Sequence, residues 1–181
     1  YFDADEVLNN DLLRVHSTSY IKSLHEQIPS EGIVNVADDT QMSSATLKAA
    51  NRAAGSGVQG VELVIQGKQK AVFCNIRPPG HHANKDQASG FCLYNNIAIA
   101  AAYALDNVLI DRVAIIDFDV HHGNGTEDIF KDNNQVLFCS LFEHPFYPFS
   151  STVSQNDLHI KSPMTAGEGS IEFKKIVNEQ W

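Results

Sequence analysis

The chain has 181 residues, of which 43% are hydrophobic and 19% charged, a composition typical of a globular domain rather than a disordered chain. Its formal net charge of -9 argues against direct binding to nucleic acid, and no stretch approaches the roughly 18 apolar residues of a membrane span. The three cysteines are odd in number, which favours free thiols in a reducing compartment. We therefore expect one cytoplasmic domain over residues 1–181.

The N-terminal third predicts two helices separated by a loop. Ser17 is a candidate N-cap for a helix with apolar positions from Tyr20 onward, which Pro29 ends. Residues 29–44 are polar and are predicted as a loop. Apolar residues then recur at helical spacing from Leu47 to Gly67, which predicts the second helix.

The remainder alternates between predicted strands and helices. Strands are predicted at 71–76, 112–118 and 136–141, helices at 95–105, 126–131 and 170–181, and a loop-rich segment at 145–169. This order favours an α/β fold in which a mostly parallel sheet, with the three strands adjacent, is flanked by helices.

Two histidine pairs follow predicted strands. His81 and His82 come after the first, and His121 and His122 follow the central strand. Because ligand sites in such sheets form beyond the carboxyl ends of the strands, both pairs are expected to face one cleft. Either pair taken alone is more often an exposed polar turn, whereas two pairs in post-strand loops favour a functional site.

The central strand runs into Asp117-Phe-Asp-Val-His-His-Gly-Asn-Gly. Side chains alternate along an extended chain, so Asp117, Asp119 and His121 are expected to point the same way. Two adjacent carboxylates are costly to bury without a positive partner, and carboxylate oxygen and imidazole nitrogen both suit zinc. Solvated acids at a strand end are the alternative. Asp117 and Asn124 are candidates to fix the tautomers of the histidines.

Three motifs carry a family resemblance: Arg77-Pro-Pro-Gly-His-His-Ala, Ser89-Gly-Phe-Cys-Leu-Tyr-Asn-Asn and the stretch from Asp117 onward. They resemble the zinc-dependent histone deacetylase family, which includes bacterial deacetylase-like amidohydrolases and acetylpolyamine amidohydrolases. The Arg-Pro-Pro-Gly lead-in and Asn124 resemble its class II branch. The resemblance covers roughly residues 5–150 and implies an incomplete arginase/deacetylase-like fold, cut at both ends.

The resemblance also implies roles for individual residues. His82 matches the general base and acid, His81 its electrostatic partner, and Asp117 and Asn124 the residues that hold them. The implied zinc ligands are Asp119 and His121, and the implied walls of the acyl-lysine channel are Gly90, Phe91 and Tyr147. A structural potassium or sodium ion is implied at Asp117, Asp119, His121, Ser140 and Leu141, and a second at Phe130, Asn133 and Val136.

The implied reaction is hydrolysis of an N-acetyl amide, either acetyl-lysine in a peptide or an acetylated small amine such as an acetylpolyamine. The family's third zinc ligand and its transition-state Tyr or His match no motif up to Trp181. We therefore expect zinc at low occupancy or none, a better retained monovalent site, and hydrolysis near background. The alternative is a non-catalytic fragment that binds metal or ligand weakly. A bare sheet edge also predicts a homo-oligomer.

Overall fold

The computed structural model describes residues 3–154 and 156–181. The elements within these ranges are α1 (Asn9–Leu12), α2 (Thr18–Glu26), β1 (Val34–Ala37), β2 (Thr40–Met42), α3 (Thr46–Ile65), α4 (Asn96–Leu105), β3 (Val113–Asp117), α5 (Asn124–Phe130), β4 (Val136–Glu143), β5 (His159–Met164) and α6 (Ser170–Gln180). None of the described helices has the length and apolar character needed to cross a lipid bilayer.

A three-stranded sheet in the order β3-β4-β5 lies at the centre of the fold, and both of its strand pairs are parallel. In the β3–β4 register Val113 lies beside Val136 and Asp117 lies beside Ser140. This confirms the predicted parallel sheet flanked by helices. Because the strands are parallel, the loops after Asp117 and Glu143 emerge at the same edge.

The core is formed where α3 and α4 pack together and α4 packs on the sheet. Ala98 and Ile99 of α4 are fully buried, as are Tyr94 and Phe138 beside them. Small side chains let α3 and α4 approach closely, since a Cβ built on Gly57 would lie 3.1 Å from the Ala100 Cβ. Ser17 caps α2 as predicted, accepting a hydrogen bond from the Tyr20 N–H at 3.2 Å.

The prediction of a strand at 71–76 is wrong. This segment forms no described ladder, and Phe73 is 90% exposed. An apolar run becomes a strand only when a neighbouring strand accepts its backbone hydrogen bonds, and this run pairs with none of the described strands. The third member of the parallel sheet is instead β5, within the segment predicted as loop-rich.

Two further elements depart from the predicted loops. Residues 29–44 contain the antiparallel hairpin β1–β2, with Val34 opposite Met42. In β5 the polar residues His159 and Ser162 are buried, so the strand lacks an apolar signature. Pairing with β4 and polar contacts with its neighbours hold it in the sheet.

Candidate active site

Side-chain hydrogen bonds to the backbone shape the loop after β3. The strand ends at Asp117, so strand alternation does not extend to residue 121. Asp117 Oδ1 accepts a hydrogen bond from the Asp119 N–H at 3.1 Å, and Asp119 Oδ1 accepts one from the His121 N–H at 2.8 Å. Each aspartate side chain therefore accepts a hydrogen bond from the backbone N–H two residues later, which bends the chain into an Asx turn. The predicted convergence of these side chains is present, although its cause differs.

The two histidines of the first pair have chemically different partners. His81 Nδ1 lies 2.8 Å from the Asp117 carboxylate, and His82 Nδ1 lies 2.8 Å from the Asn124 amide oxygen. Both predicted contacts are therefore present. The two imidazole rings lie 4.0 Å apart, and His121 lies 5.7 Å from His82 on the same cleft.

Electrostatics separates the pair further. Burial alone would lower the pKa of His81, but the hydrogen bond and negative charge of Asp117 raise it above its ordinary value. Burial and the neighbouring His81 lower the pKa of His82 to about 4, because the neutral Asn124 opposes the shift only weakly. At neutral pH His82 is therefore the unprotonated member.

Close backbone approach fixes where His82 sits. The His81 carbonyl accepts hydrogen bonds from Gly125 N–H at 3.0 Å and Thr126 N–H at 3.2 Å, which ties the loop to the start of α5. Gly90 lies against the other side of the His82 ring at a φ of 56°, and a Cβ there would collide with the imidazole. The predicted wall residue Gly90 thus determines the space available to His82.

Aromatic side chains surround the opening of the cleft. Tyr147 lies edge-on to His82, with ring centroids 5.0 Å apart, and its hydroxyl is 3.0 Å from the Ser89 hydroxyl. Phe91 is 62% exposed at a φ of 66°. Phe146 stacks on His121 at 5.2 Å and was not predicted. Of the predicted channel residues, Gly90 and Tyr147 therefore lie against His82, and Phe91 directly follows Gly90.

Asp119 and His121 offer two donors to a metal ion. Asp119 Oδ1 and His121 Nδ1 lie 3.0 Å apart, close to the roughly 3.3 Å separating two ligands of a tetrahedral zinc at ordinary bond lengths. Among the described residues, no group of three His, Cys, Asp or Glu side chains could hold a metal. The residues present therefore fit two corners of a zinc site.

The residues of the first predicted monovalent site come together at the β3–β4 edge. Asp117 and Ser140 are neighbours in the ladder, which brings the 117–121 loop beside Ser140 and Leu141. The Ser140 hydroxyl lies 2.9 Å from His122 Nδ1. A hydroxyl oxygen retains acceptor capacity beside one hydrogen bond, so this set fits a monovalent cation, which stays a prediction.

The second predicted cation site has a protein donor among its oxygens. Asn156 Nδ2 donates to the carbonyls of Phe130 at 3.5 Å, Lys131 at 2.9 Å and Asn133 at 3.3 Å. The orientation of this amide is fixed, because Asn156 Oδ1 accepts from the Leu158 N–H at 2.8 Å. Two amide hydrogens are shared among these carbonyls, each of which keeps a second lone pair, so a cation at this second site stays a prediction.

A buried ion pair behind the cleft was not predicted. Glu127 lies 2.7 Å from His122 Nε2 and 2.9 Å from Lys161 Nζ, and the Lys161 side chain is only 3% exposed. The ion pair joins one residue of α5, Glu127, to one residue of β5, Lys161. Their sequence positions hold no signal for it, because the pairing depends on the register of β5.

The hairpin β1–β2 also reaches the cleft and was predicted only as a loop. Asp39 Oδ1 accepts from the Gly90 N–H at 2.9 Å, and Thr40 Oγ1 accepts from the Phe91 N–H at 3.0 Å. Thr40 is 1% exposed. An adjacent Asp and Thr in a turn is the one local signal that could have indicated this support of the channel wall.

A cavity of about 370 Å³ opens beside His81, lined by Cys74, Ile76, Ile116 and the site residues His81, Asp117 and Asp119, among others. A parallel sheet that presents ligand-binding loops at its carboxyl edge is a common α/β architecture of enzymes. The model of the histone deacetylase domain matches residues 1–181. The chain belongs to the histone deacetylase family.

Individual relatives agree. The chain is 40% identical over 148 residues to an uncharacterized protein of Synechocystis sp., covering 82% of this chain and 48% of that protein. It is 34% identical to histone deacetylase 6 of Caenorhabditis elegans over 93% of this chain and 18% of that protein. It is 32% identical to a probable deacetylase of Archaeoglobus fulgidus over 93% and 48%.

A solved structure shows the same fold. The crystal structure of the HDA15 HD domain superimposes with a TM-score of 0.81 at 32% identity, covering 90% of this chain and 49% of that chain. The chain thus spans about half the length, or less, of these relatives.

Proposed function

We propose that this chain carries the proton-transfer half of a zinc-dependent site that hydrolyses N-acetyl amides, with acetyl-lysine in a peptide as the substrate class. The observation that carries the proposal is that the two adjacent imidazoles have hydrogen-bond partners of different charge. Asp117 lies behind His81 and the neutral Asn124 behind His82, both at 2.8 Å. One histidine is thereby favoured as a cation and the other as a base.

His82 is the proposed base. Asn124 Oδ1 can only accept, so His82 Nδ1 carries the hydrogen, and Nε2 presents a lone pair on the other side of the ring. This nitrogen takes a proton from the attacking water and later returns it to the leaving amine. His81, held by Asp117, stabilises the developing negative charge of the tetrahedral intermediate.

Asp119 and His121 are the proposed residues for holding zinc. A bound zinc ion would polarise the acetyl carbonyl and lower the pKa of the attacking water. Since the described residues supply two of its ligands, we propose that these 181 residues alone bind zinc weakly and hydrolyse acetyl-lysine near background.

The sharpest test is a chimera in which this chain replaces the matching segment of the probable deacetylase of Archaeoglobus fulgidus. The chimera should release acetate from an acetyl-lysine peptide in the presence of zinc. His82→Ala should reduce the rate by at least about 10²-fold, the lower end of a general base contribution. His25→Ala, on the exposed side of α2, is the matched control and should retain the rate.

A folded chimera that binds zinc but releases no acetate would overturn the proposal. Acetylated polyamines assayed in parallel distinguish the second substrate class. Zinc content of the 181-residue chain, by mass spectrometry of the metal, tests the weak-binding part separately. One tightly bound zinc per chain with rapid hydrolysis would show that a further residue completes the site.

A further inference from the structure

A buried polar cluster lies against the backbone that carries His82 and Asn124. It consists of His16, between α1 and α2, Asn95, which caps α4, and Thr126 in the first turns of α5. Their exposed fractions are 1%, 0% and 0%. Buried polar side chains of this kind are costly unless each hydrogen bond is made, so each contact has structural meaning.

Asn95 joins three separate segments. Its Oδ1 accepts from the Ala98 N–H at 3.1 Å and so caps α4. Its Nδ2 donates to the Ala83 carbonyl at 3.1 Å and to the Thr126 hydroxyl at 3.2 Å. Ala83 directly follows His82, and Thr126 lies two residues after Asn124. One amide therefore holds both backbone segments that carry the His82–Asn124 hydrogen bond.

His16 holds the backbone on either side of this amide. Its Nε2 accepts from the Asn95 N–H at 2.9 Å, so the ring is neutral and the hydrogen resides on Nδ1. Nδ1 lies 3.3 Å from the Lys85 carbonyl, on the loop that begins at His81. The ring also lies between Tyr20 and Tyr94, with centroids 5.3 and 5.8 Å away. His16 thus connects α4 to the loop that carries the proposed base.

We propose that His16 and Asn95 are positioning residues that maintain the His82–Asn124 hydrogen bond and, through it, the tautomer of His82. They touch neither the cleft nor the proposed zinc ligands. Without the Asn95 amide, the Ala83 carbonyl and Thr126 hydroxyl would each lose a buried partner, and the two segments would shift to regain one. Since His82 is the proposed base, this role rests on the proposed function.

Ring ¹⁵N shifts of His82, measured by NMR on the 181-residue chain at one neutral pH, report the tautomer without metal or substrate. The wild-type ring should carry its hydrogen on Nδ1. Asn95→Asp keeps the oxygen that caps α4 but loses both donors, and His16→Phe removes both ring contacts. Each should raise the Nε2–H to Nδ1–H ratio by about fivefold, the effect expected for one lost hydrogen bond.

His16→Gln is the matched rescue variant, because its amide can donate to Lys85 and accept from Asn95 as the imidazole does; it should keep the wild-type ratio. Folding is checked from the backbone amide spectrum. If both disruptive variants unfold, Thr126→Val, which removes one acceptor of Asn95 without changing size, should shift the ratio in the same direction.

Folded Asn95→Asp or His16→Phe proteins with the wild-type ratio would overturn the positioning role, as would a Gln variant that behaves like the Phe variant. If Thr126→Val is the only variant that folds, a wild-type tautomer ratio in that variant overturns the positioning role. A wild-type His82 that carries its hydrogen on Nε2 would instead overturn the assignment of the base, so the two proposals fail separately.

Discussion

Behind two imidazoles only 4.0 Å apart lie a carboxylate, Asp117, and a neutral amide, Asn124. Two neighbouring rings cannot both carry a charge cheaply, so the partner decides which ring becomes the cation. Because Asp117 raises the pKa of His81, the charge belongs there, and His82 remains free to accept a proton. A difference between two oxygen acceptors thus separates the roles proposed for the two adjacent histidines.

Gly90 is a second position where one small group matters. Gly90→Ala should lower the free energy of unfolding by about 3 kcal/mol, because the new Cβ would meet the His82 ring at a positive φ. Gly32→Ala is the control: its φ is 72° but no atom lies within 4 Å of the built Cβ, so only backbone strain of about 1 kcal/mol is expected. Urea unfolding measures both, and equal losses would contradict steric contact with His82.

His16 makes stability depend on pH. Burial lowers the pKa of His16 from 6.5 to about 4, so its contribution is fully present above pH 6.5 and is lost as the pH falls toward 4. The loss should reach about 3 kcal/mol at the acid end of this window, because the folded and unfolded states bind a proton to His16 at such different pH values. Urea unfolding between pH 7 and 4.5 should show a steeper decline for wild type than for His16→Gln. Parallel curves would exclude this origin.

The helix α5 has seven residues and is too short to be stable alone. Contacts at both ends hold it. The His81 carbonyl accepts from its first turn, and Glu127 joins it to His122 and Lys161. Asn156 donates to the carbonyls at its carboxyl end, which a helix cannot satisfy internally. The position of Asn124, and hence of His82, depends on these contacts.

Asn156 provides a test of the second cation site. Asn156→Asp removes the donor and places a carboxylate beside the carbonyls, so it should destabilise the protein by about 2 kcal/mol in choline chloride. Potassium chloride should raise the melting temperature of the variant more than that of wild type. The first cation site is common to both proteins, so the difference isolates the Asn156 region. Equal responses to potassium would argue against a cation-competent acceptor set there.

The outer edge of β3 pairs with no described strand, and apolar side chains surround it. Phe118 is 71% and Ile116 47% exposed, and Ile116 lines a cavity together with Cys74 and Ile76 of the unpaired 71–76 segment. Free backbone groups next to apolar surface favour association with another chain. The homo-oligomer predicted from the sequence therefore remains a prediction, with this edge as the expected contact.

Sedimentation velocity over a range of concentrations tests self-association. Wild type should sediment as an oligomer at high concentration, and Ile116→Lys should weaken association by about tenfold or more through charge at the edge. Ile171→Lys is the control, because Ile171 is 80% exposed on α6 and the same charge is added there. A monomer at every concentration, or equal weakening by both variants, would contradict association through β3.

Local patterns were sufficient for much of this protein. Helical spacing of apolar residues located α2, α3 and α4, and two apolar runs located β3 and β4. These patterns are visible in the sequence because each element places its apolar side chains on the buried face at the period of its own backbone. The motifs around His81 and Asp117 indicated the family. The shared cleft was predicted from the position of both loops after strands, but only the loop after β3 follows a described strand. The His81 loop reaches the cleft because the His81 carbonyl accepts hydrogen bonds from Gly125 and Thr126.

Contacts between distant segments decided the rest. The apolar run at 71–76 pairs with none of the described strands, whereas the polar β5 pairs with β4 and completes the sheet. The hydrogen bond between His16 and Asn95 joins residues 79 positions apart in the sequence. The hydrogen bond from Asn156 to Phe130, at the end of α5, joins residues 26 positions apart. Hydrogen bonds of this kind depend on the register and packing of the finished fold, and local sequence periodicity carries no trace of them.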